Sequence, residues 1–131
     1  MRYLLDANVV IGLLKDTTSK VAQRARRSKP GNIAISAIVA HELFYGAFKS
    51  QRVERNVALV DGLQFTVLEF DKEDARQAGQ IRAFLAGKGT PIGPYDVLIA
   101  AQALARKLVL VTHNSGEFRR VPGLKIEDWD D

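Results

Sequence analysis

The chain contains no cysteine, which excludes a disulfide framework, a thiolate metal centre and a cysteine nucleophile, and suits a reducing compartment. Histidine is also scarce. His41 and His113 are the only two, and neither has a second histidine at metal-ligand spacing, so both read as structural or substrate-proximal. Any bound metal must therefore be held by oxygen or imidazole. No apolar run approaches the ~20 residues of a membrane span, and the N-terminus lacks the apolar region and small-residue cleavage site of a secretory signal. The expectation is a soluble, cytoplasmic protein. No Gly-x-Gly-x-x-Gly follows the first apolar run, which excludes a dinucleotide-binding fold. There is no internal repeat, low-complexity tract or interdomain linker, and 131 residues fit one domain, spanning 1–131, that can bury roughly two thirds of its unfolded surface.

What the chain has instead is a modest basic excess. Lys and Arg number 19 against 15 Asp and Glu, a net charge of +4 and a pI near 9.6, which favours polyanionic partners. The hydrophobic pattern alternates strand and helix throughout. It predicts a strand over 2–6, a helix over about 8–15 and a second helix from Val21 to Arg27 capped by Thr17, Thr18 or Ser19. Pro30-Gly31-Asn32 makes a turn before a buried strand, Ile33-Ala34-Ile35, and Ser36 caps the helix that carries Ile38, Val39, Leu43, Phe44 and Ala47. A helix over 51–62, a strand from Phe65 to Leu68 and a helix over 72–86 opened by Asp71 and Asp74 follow, the last ending at Gly87-Lys88-Gly89. After the Thr90 to Pro94 loop come a helix over 95–106, the strand Leu108 to Thr112 and a short strand near Lys125-Ile126. Such apolar strands indicate an α/β fold with a parallel sheet covered on both faces.

Four acidic residues stand where this pattern brings them to the carboxyl end of the sheet. Asp6 closes the first strand, Glu42 lies in the second turn of the helix after strand two, Asp96 lies in the first turn after the Gly93-Pro94 break, and Glu117 follows the turn that ends the Leu108 strand. Open α/β sheets bind ligands at that end. An Asp after a strand is also an ordinary helix cap, and an Asp in a first helical turn also complements the helix dipole. Glu42 is less ordinary, because its neighbours Ile38, Val39, Leu43 and Phe44 are expected to be buried, so its charge needs a partner. Carboxylates forced together repel and raise one another's proton affinity unless a cation neutralises them. Oxygen-only ligation points to magnesium, with manganese as a substitute. Either ion can activate water and neutralise charge on a phosphodiester. Thr112, Asn114 and Glu117 are placed to face the same crevice.

These segments resemble a known family, the PIN-domain ribonucleases, and within it the VapC toxins of toxin-antitoxin pairs. The resemblance rests on Leu4-Leu5-Asp6-Ala7-Asn8-Val9-Val10-Ile11, on Ser36 to Gly46 around Glu42, on Ile92-Gly93-Pro94-Tyr95-Asp96-Val97-Leu98-Ile99-Ala100-Ala101, and on Val111 to Phe118 with the Glu127-Asp128-Trp129 ending. It implies a three-layer α/β/α sandwich and a metal-dependent endoribonuclease with Asp6, Glu42, Asp96 and Glu117 as catalytic residues. Asp6, Glu42 and Asp96 are the implied metal ligands. Where many members place a fourth aspartate, this chain offers Asn114 and then Glu117. Asn8 and Thr112 are implied as residues that position carboxylates or water. The resemblance further implies a homodimer, a cognate VapB-like antitoxin across the active-site groove, and structured RNA, commonly tRNA, as substrate.

On this reading Lys15, Lys20, Arg24, Arg26, Arg27, Lys49 and Arg52 are candidates for phosphate contacts, of which no more than about half are expected to touch RNA, the rest being solvated surface. Phe44, Tyr45, Phe48 and Phe84 occupy helical apolar positions and are expected in the core or at a dimer contact. Two rivals remain. A haloacid-dehalogenase-like phosphatase needs a second aspartate where Asn8 stands, and Asp130-Asp131 lies in the terminal tail. A non-catalytic nucleic-acid-binding or regulatory PIN module would fit an incomplete acidic cluster, and this cluster is complete.

Overall fold

The computed structural model describes residues 1–130; Asp131, read above as terminal tail, lies outside the described residues. Five parallel strands form one sheet in the order β3-β2-β1-β4-β5, with β1 Tyr3–Leu5, β2 Ile33–Ser36, β3 Thr66–Leu68, β4 Val109–Val111 and β5 Ile126–Glu127. Among the described residues seven helices connect them: α1 Ala7–Lys15, α2 Lys20–Arg27, α3 Ala37–Phe48, α4 Val53–Asp61, α5 Lys72–Gly87, α6 Pro94–Ala105 and α7 Ser115–Phe118. Apart from α7, which the sequence reads as a polar turn after β4, the boundaries lie within two residues of those the hydrophobic pattern predicts, and the Pro30-Gly31-Asn32 turn is a single 3-10 turn. Ser19 is the cap of α2, accepting from the Ala22 N–H at 3.1 Å, and Ser36 caps α3 through the Ile38 N–H at 3.0 Å.

The chain steps outward from β1 to β2 to β3, then returns across the sheet to lay β4 on the other side of β1. Right-handed crossovers place the helices before that return on one face and those after it on the other. The contacts agree: α1 touches α2 and α3, α3 touches α4, and α5 packs along α6. The result is an α/β/α sandwich. β1 and β2 are buried at every position, as strands covered on both faces must be. β3 is an edge strand whose Val67 is 51% exposed. Leu4, Leu5, Val9, Val10, Ile33, Val39, Leu110 and Phe118 make the centre of the core, each aliphatic side chain contributing about 1.5–3 kcal/mol on burial. Leu110→Ala would cost about 2–5 kcal/mol through lost burial and the cavity left behind.

The aromatic side chains placed by periodicity in the core or at a dimer contact are not in this chain's core. Tyr45 is 62%, Phe48 63% and Phe84 42% exposed, and Phe44 is half-buried. Helical spacing marks an apolar face on α3, but Tyr45 and Phe48 on that helix are left uncovered in this chain.

Candidate metal centre

The reversal of strand order falls between β1 and β4, and open α/β sheets build their ligand crevices outside the carboxyl ends at that point. The ladder continues one residue past β1: the Asp6 N–H donates to the Val111 carbonyl at 2.9 Å, and the Thr112 N–H donates to the Glu127 carbonyl at 3.0 Å. Asp6 and Thr112 are thereby fixed side by side at the switch. Asp6 is buried. Its Oδ1 accepts from the Ala7 N–H at 2.8 Å and its Oδ2 from the Thr112 hydroxyl at 2.9 Å. It is thus the cap residue of α1 and a buried carboxylate at once. Burial pushes its carboxyl above the ordinary range despite the two hydrogen bonds, and the charge of Glu117 adds to the rise.

Glu42 projects from the second turn of α3 and is half-buried. Burial raises its carboxyl, and the negative charge of Asp6 raises it further. Ile38 and Phe44 beside it are only partly buried, so the pocket around it is more open than the apolar sequence suggests. Asp96 is the third residue of α6. Its carboxyl is pushed up to about 6 by burial first, then by the charges of Asp6, Glu117 and Glu42. Glu117, in α7, goes the other way: hydrogen bonds from the Gly93 N–H at 2.7 Å and from Asn114 Nδ2 at 2.6 Å hold its carboxyl low. Across the head of the sheet Asp96 thus feels the charge of the other three, Asp6 that of Glu117 and Glu42 that of Asp6.

Within the cluster, Thr112 holds Asp6 and accepts from the Asn114 N–H at 3.0 Å, while Asn114 holds Glu117. Asn8 is exposed on the first turn of α1, and among the described residues its side chain makes no hydrogen bond to any of the four. Glu42 and Asp96 likewise receive no hydrogen bond on their carboxylates among the described residues, which leaves all four of their oxygens open. From the sequence Gly93 reads only as a break before α6; its N–H and its missing side chain both bear on the site. A glycine immediately before Pro94 and three residues before Asp96 was the signal.

The cluster is open. Among the described residues, the trio of potential ligands whose atoms all lie within 4.8 Å of one another is His113, Asp128 and Asp130, so Asp6, Glu42 and Asp96 stand further apart than that. The His113 trio is already self-satisfied, because Nδ1 meets Asp128 Oδ1 at 2.9 Å and Nε2 meets Asp130 Oδ2 at 3.2 Å. It ties the C-terminal segment to the loop after β4. The acidic cluster has the opposite character, with raised carboxyl values on three of its members and uncommitted oxygens on two. The chemistry of that donor set, carboxylate oxygens alone, fits a hard divalent cation, and among the described residues Glu42 and Asp96 have no hydrogen bond on their carboxylates that such an ion would have to displace.

Of the basic residues, Arg24 is committed elsewhere. Its guanidinium pairs with Glu127 at 2.9 Å and stacks 4.8 Å from the Trp129 ring centre. Arg26 reaches the Thr17 carbonyl at 2.6 Å and Lys49 lies over Tyr45. Lys15, Lys20, Arg27 and Arg52 are exposed. Among the described residues no helix is long and apolar enough to cross a membrane.

A parallel sheet with a carboxylate cluster at its switch point is suited to a hard cation there, and comparison with known proteins narrows the class. The PIN domain family model matches residues 3–124. The tRNA(fMet)-specific endonuclease VapC of Salmonella typhimurium is 45% identical over 131 residues, with 98% of each chain covered. Ribonuclease VapC2 of Haemophilus influenzae is 37% identical, again over 98% of each chain. The crystal structure of DNA-bound VapBC from Salmonella typhimurium superposes with a TM-score of 0.94 at 45% identity, covering 98% of both chains. The chain belongs to the PIN-domain family, in its VapC ribonuclease branch.

Proposed function

We propose that this protein is an endoribonuclease, the toxin of a VapBC-type toxin-antitoxin pair, that hydrolyses phosphodiester bonds in structured RNA, with tRNA as its substrate and magnesium as its cation. The observation that carries the reading is the gathering of Asp6, Glu42, Asp96 and Glu117 at the β1/β4 switch with carboxyl values raised on Asp6, Glu42 and Asp96. Holding three mutually repelling carboxylates in one crevice, Asp6 buried and Glu42 and Asp96 half-buried, is costly unless a cation offsets it. The tRNA(fMet) specificity in the name of the 45% identical relative supports tRNA, and the VapBC complex it resembles supports a VapB-like antitoxin as partner.

Asp6, Glu42 and Asp96 would hold the ion. When bound, magnesium supplies a coordinated water of lowered pKa and neutralises charge on the scissile phosphate. The chain's own contribution is placement. Thr112 and the Ala7 N–H lock Asp6 in one orientation, so the buried carboxylate needs no reorganisation. Glu42 and Asp96 approach from helices on either side of the crevice with their oxygens uncommitted. Exposed Lys15, Lys20, Arg27, Lys49 and Arg52 would draw in the phosphate backbone with a salt-dependent contribution to affinity. A second copy of the chain and a cytoplasmic location complete the proposal.

Incubation of the purified protein with tRNA and magnesium, followed by sequencing of RNA ends, tests the reading. A defined set of new ends that disappears in chelator and in Asp96→Asn is the expected result. Binding of RNA without cleavage, equal in parent and variant, would favour a non-catalytic module instead.

A further inference from the structure

Two helices that pack against each other, α5 and α6, carry an aspartate at the same third position, and their caps are wired differently. At α5, Asp74 accepts the N–H of the cap residue Asp71 at 2.9 Å and Asp71 accepts the Asp74 N–H at 3.0 Å, the reciprocal arrangement called a capping box. At α6 the cap residue is Gly93, which has no side chain to cap with. Its N–H donates at 2.7 Å not to Asp96 but to Glu117, 24 residues away. The other Glu117 oxygen is taken by Asn114.

Gly93 is not required by its backbone. At φ −55 and ψ 149 it has the extended conformation that any residue adopts before proline. What it supplies is space. A Cβ at this position would lie 3.0 Å from Asp96 Oδ2 and 3.5 Å from its Cγ, so the Asp96 carboxylate folds back over the Gly93 Cα.

We propose that Glu117 is a positioning residue for Asp96: it takes the cap N–H of α6 that a carboxylate at the third helical position would otherwise accept, so that both Asp96 oxygens stay available to a cation, while glycine at 93 leaves room for that carboxylate. The proposal rests on the reading that Asp6, Glu42 and Asp96 hold a divalent ion. It assigns Glu117 no contact with the ion. A glutamine keeps the oxygen that accepts from Gly93, and Asn114 can turn its amide to meet the new side chain. An alanine keeps neither, and frees the Gly93 N–H to capture Asp96.

Manganese binding to the full-length protein, read by isothermal titration calorimetry with the metal alone, tests this, with thermal unfolding followed in parallel. Glu117→Ala is expected to weaken binding by about 10-fold, the lower end of the effect of removing a ligand's supporting partner, and Glu117→Gln by less than about 3-fold. Gly93→Ala is expected to weaken binding while melting close to the parent, because the atom its Cβ meets is the mobile end of a side chain. Glu117→Gln as weak as Glu117→Ala would overturn the proposal in favour of direct ligation, provided Asp96→Asn has lost binding. So would undiminished binding in Glu117→Ala or Gly93→Ala. Parent protein that binds no manganese, or Asp96→Asn that binds as the parent does, would remove the cation reading and the proposal with it. Should Glu117→Ala fail to fold, Glu117→Gln and Gly93→Ala decide the matter.

Discussion

Asp74 and Asp96 occupy equivalent positions in adjacent helices and have opposite electrostatic fates. Asp74 is 1% exposed, and burial alone would raise its carboxyl. Arg106 at 3.0 Å, the Asp71 N–H and Gln102 at 3.0 Å outweigh that burial and hold it below the ordinary range. Asp96 is less buried, has no such donors among the described residues, faces three other carboxylates, and is pushed up to about 6. Depth of burial does not separate a structural carboxylate from a ligand; satisfaction does. Arg106 also donates to the Glu69 carbonyl at 2.8 Å, so the Asp74 group closes the turn between β3 and α5.

The largest expected effect lies on the unsatisfied side. Asp6→Asn or Asp96→Asn should lower cation-dependent RNA cleavage by about 10²-fold or more, the usual scale for removing one element of charge stabilisation. In chelator neither variant should melt below the parent, since each removes repulsion. Cleavage assays and thermal scans on the same preparations check both halves, and an active Asp96→Asn would break the contrast at once.

Asp74→Ala should do the reverse. Loss of the capping box and of the acceptor for Arg106 and Gln102 is expected to cost about 2–3 kcal/mol in urea unfolding. Cleavage per folded molecule should be preserved. Gln102, fully buried, already has an Oε1 without a hydrogen-bond partner among the described residues, so it has no spare contact with which to compensate.

The two aspartates should also give opposite pH dependence. Asp74 has a depressed folded value, so its stabilisation is present above the ordinary carboxylate range and is lost as pH falls through that depressed value. Asp96 has a raised one. Its contribution is fully present below the reference value of 3.8 and is lost as pH rises through about 6. In chelator, stability should therefore fall between about pH 4 and 6 in the parent more than in Asp96→Asn, and fall below about pH 4 in the parent more than in Asp74→Asn. Urea midpoints across that range give the slopes, and identical slopes in parent and Asp96→Asn would contradict the sign. The smallest effect is expected from Thr112→Val, about 1 kcal/mol, because Asp6 keeps the Ala7 N–H and the Asn114 N–H, on an exposed residue, can turn to water.

Apart from the one-turn α7, too short to carry a periodicity, the elements of the fold are legible in the sequence because strand and helix periodicities are strong and the caps are local: Ser19, Ser36 and the Asp71/Asp74 pair each act within three residues. The placement of Asp6 at the end of a strand, of Glu42 in the second turn of its helix and of Asp96 in the first turn of its helix follows from the same local reading. What the sequence hides is tertiary. Arg106 and Gln102 lie 32 and 28 residues from Asp74, and nothing in the local pattern joins them. Glu117 and Gly93 are joined across 24 residues by a loop geometry that no periodicity encodes. The exposure of Tyr45 and Phe48 has a similar cause, since an apolar helix face is buried only where a neighbour covers it.

Diffraction from crystals soaked in manganese, recorded at a wavelength where that ion scatters anomalously, bears most directly on the central claim, because the chain carries two candidate clusters of ligands at different places. The account predicts an anomalous peak bounded by Asp6, Glu42 and Asp96, with their side chains drawn together and Glu117 still bonded to the Gly93 N–H. A peak confined to His113, Asp128 and Asp130, with the four acidic residues left as they stand, would contradict it.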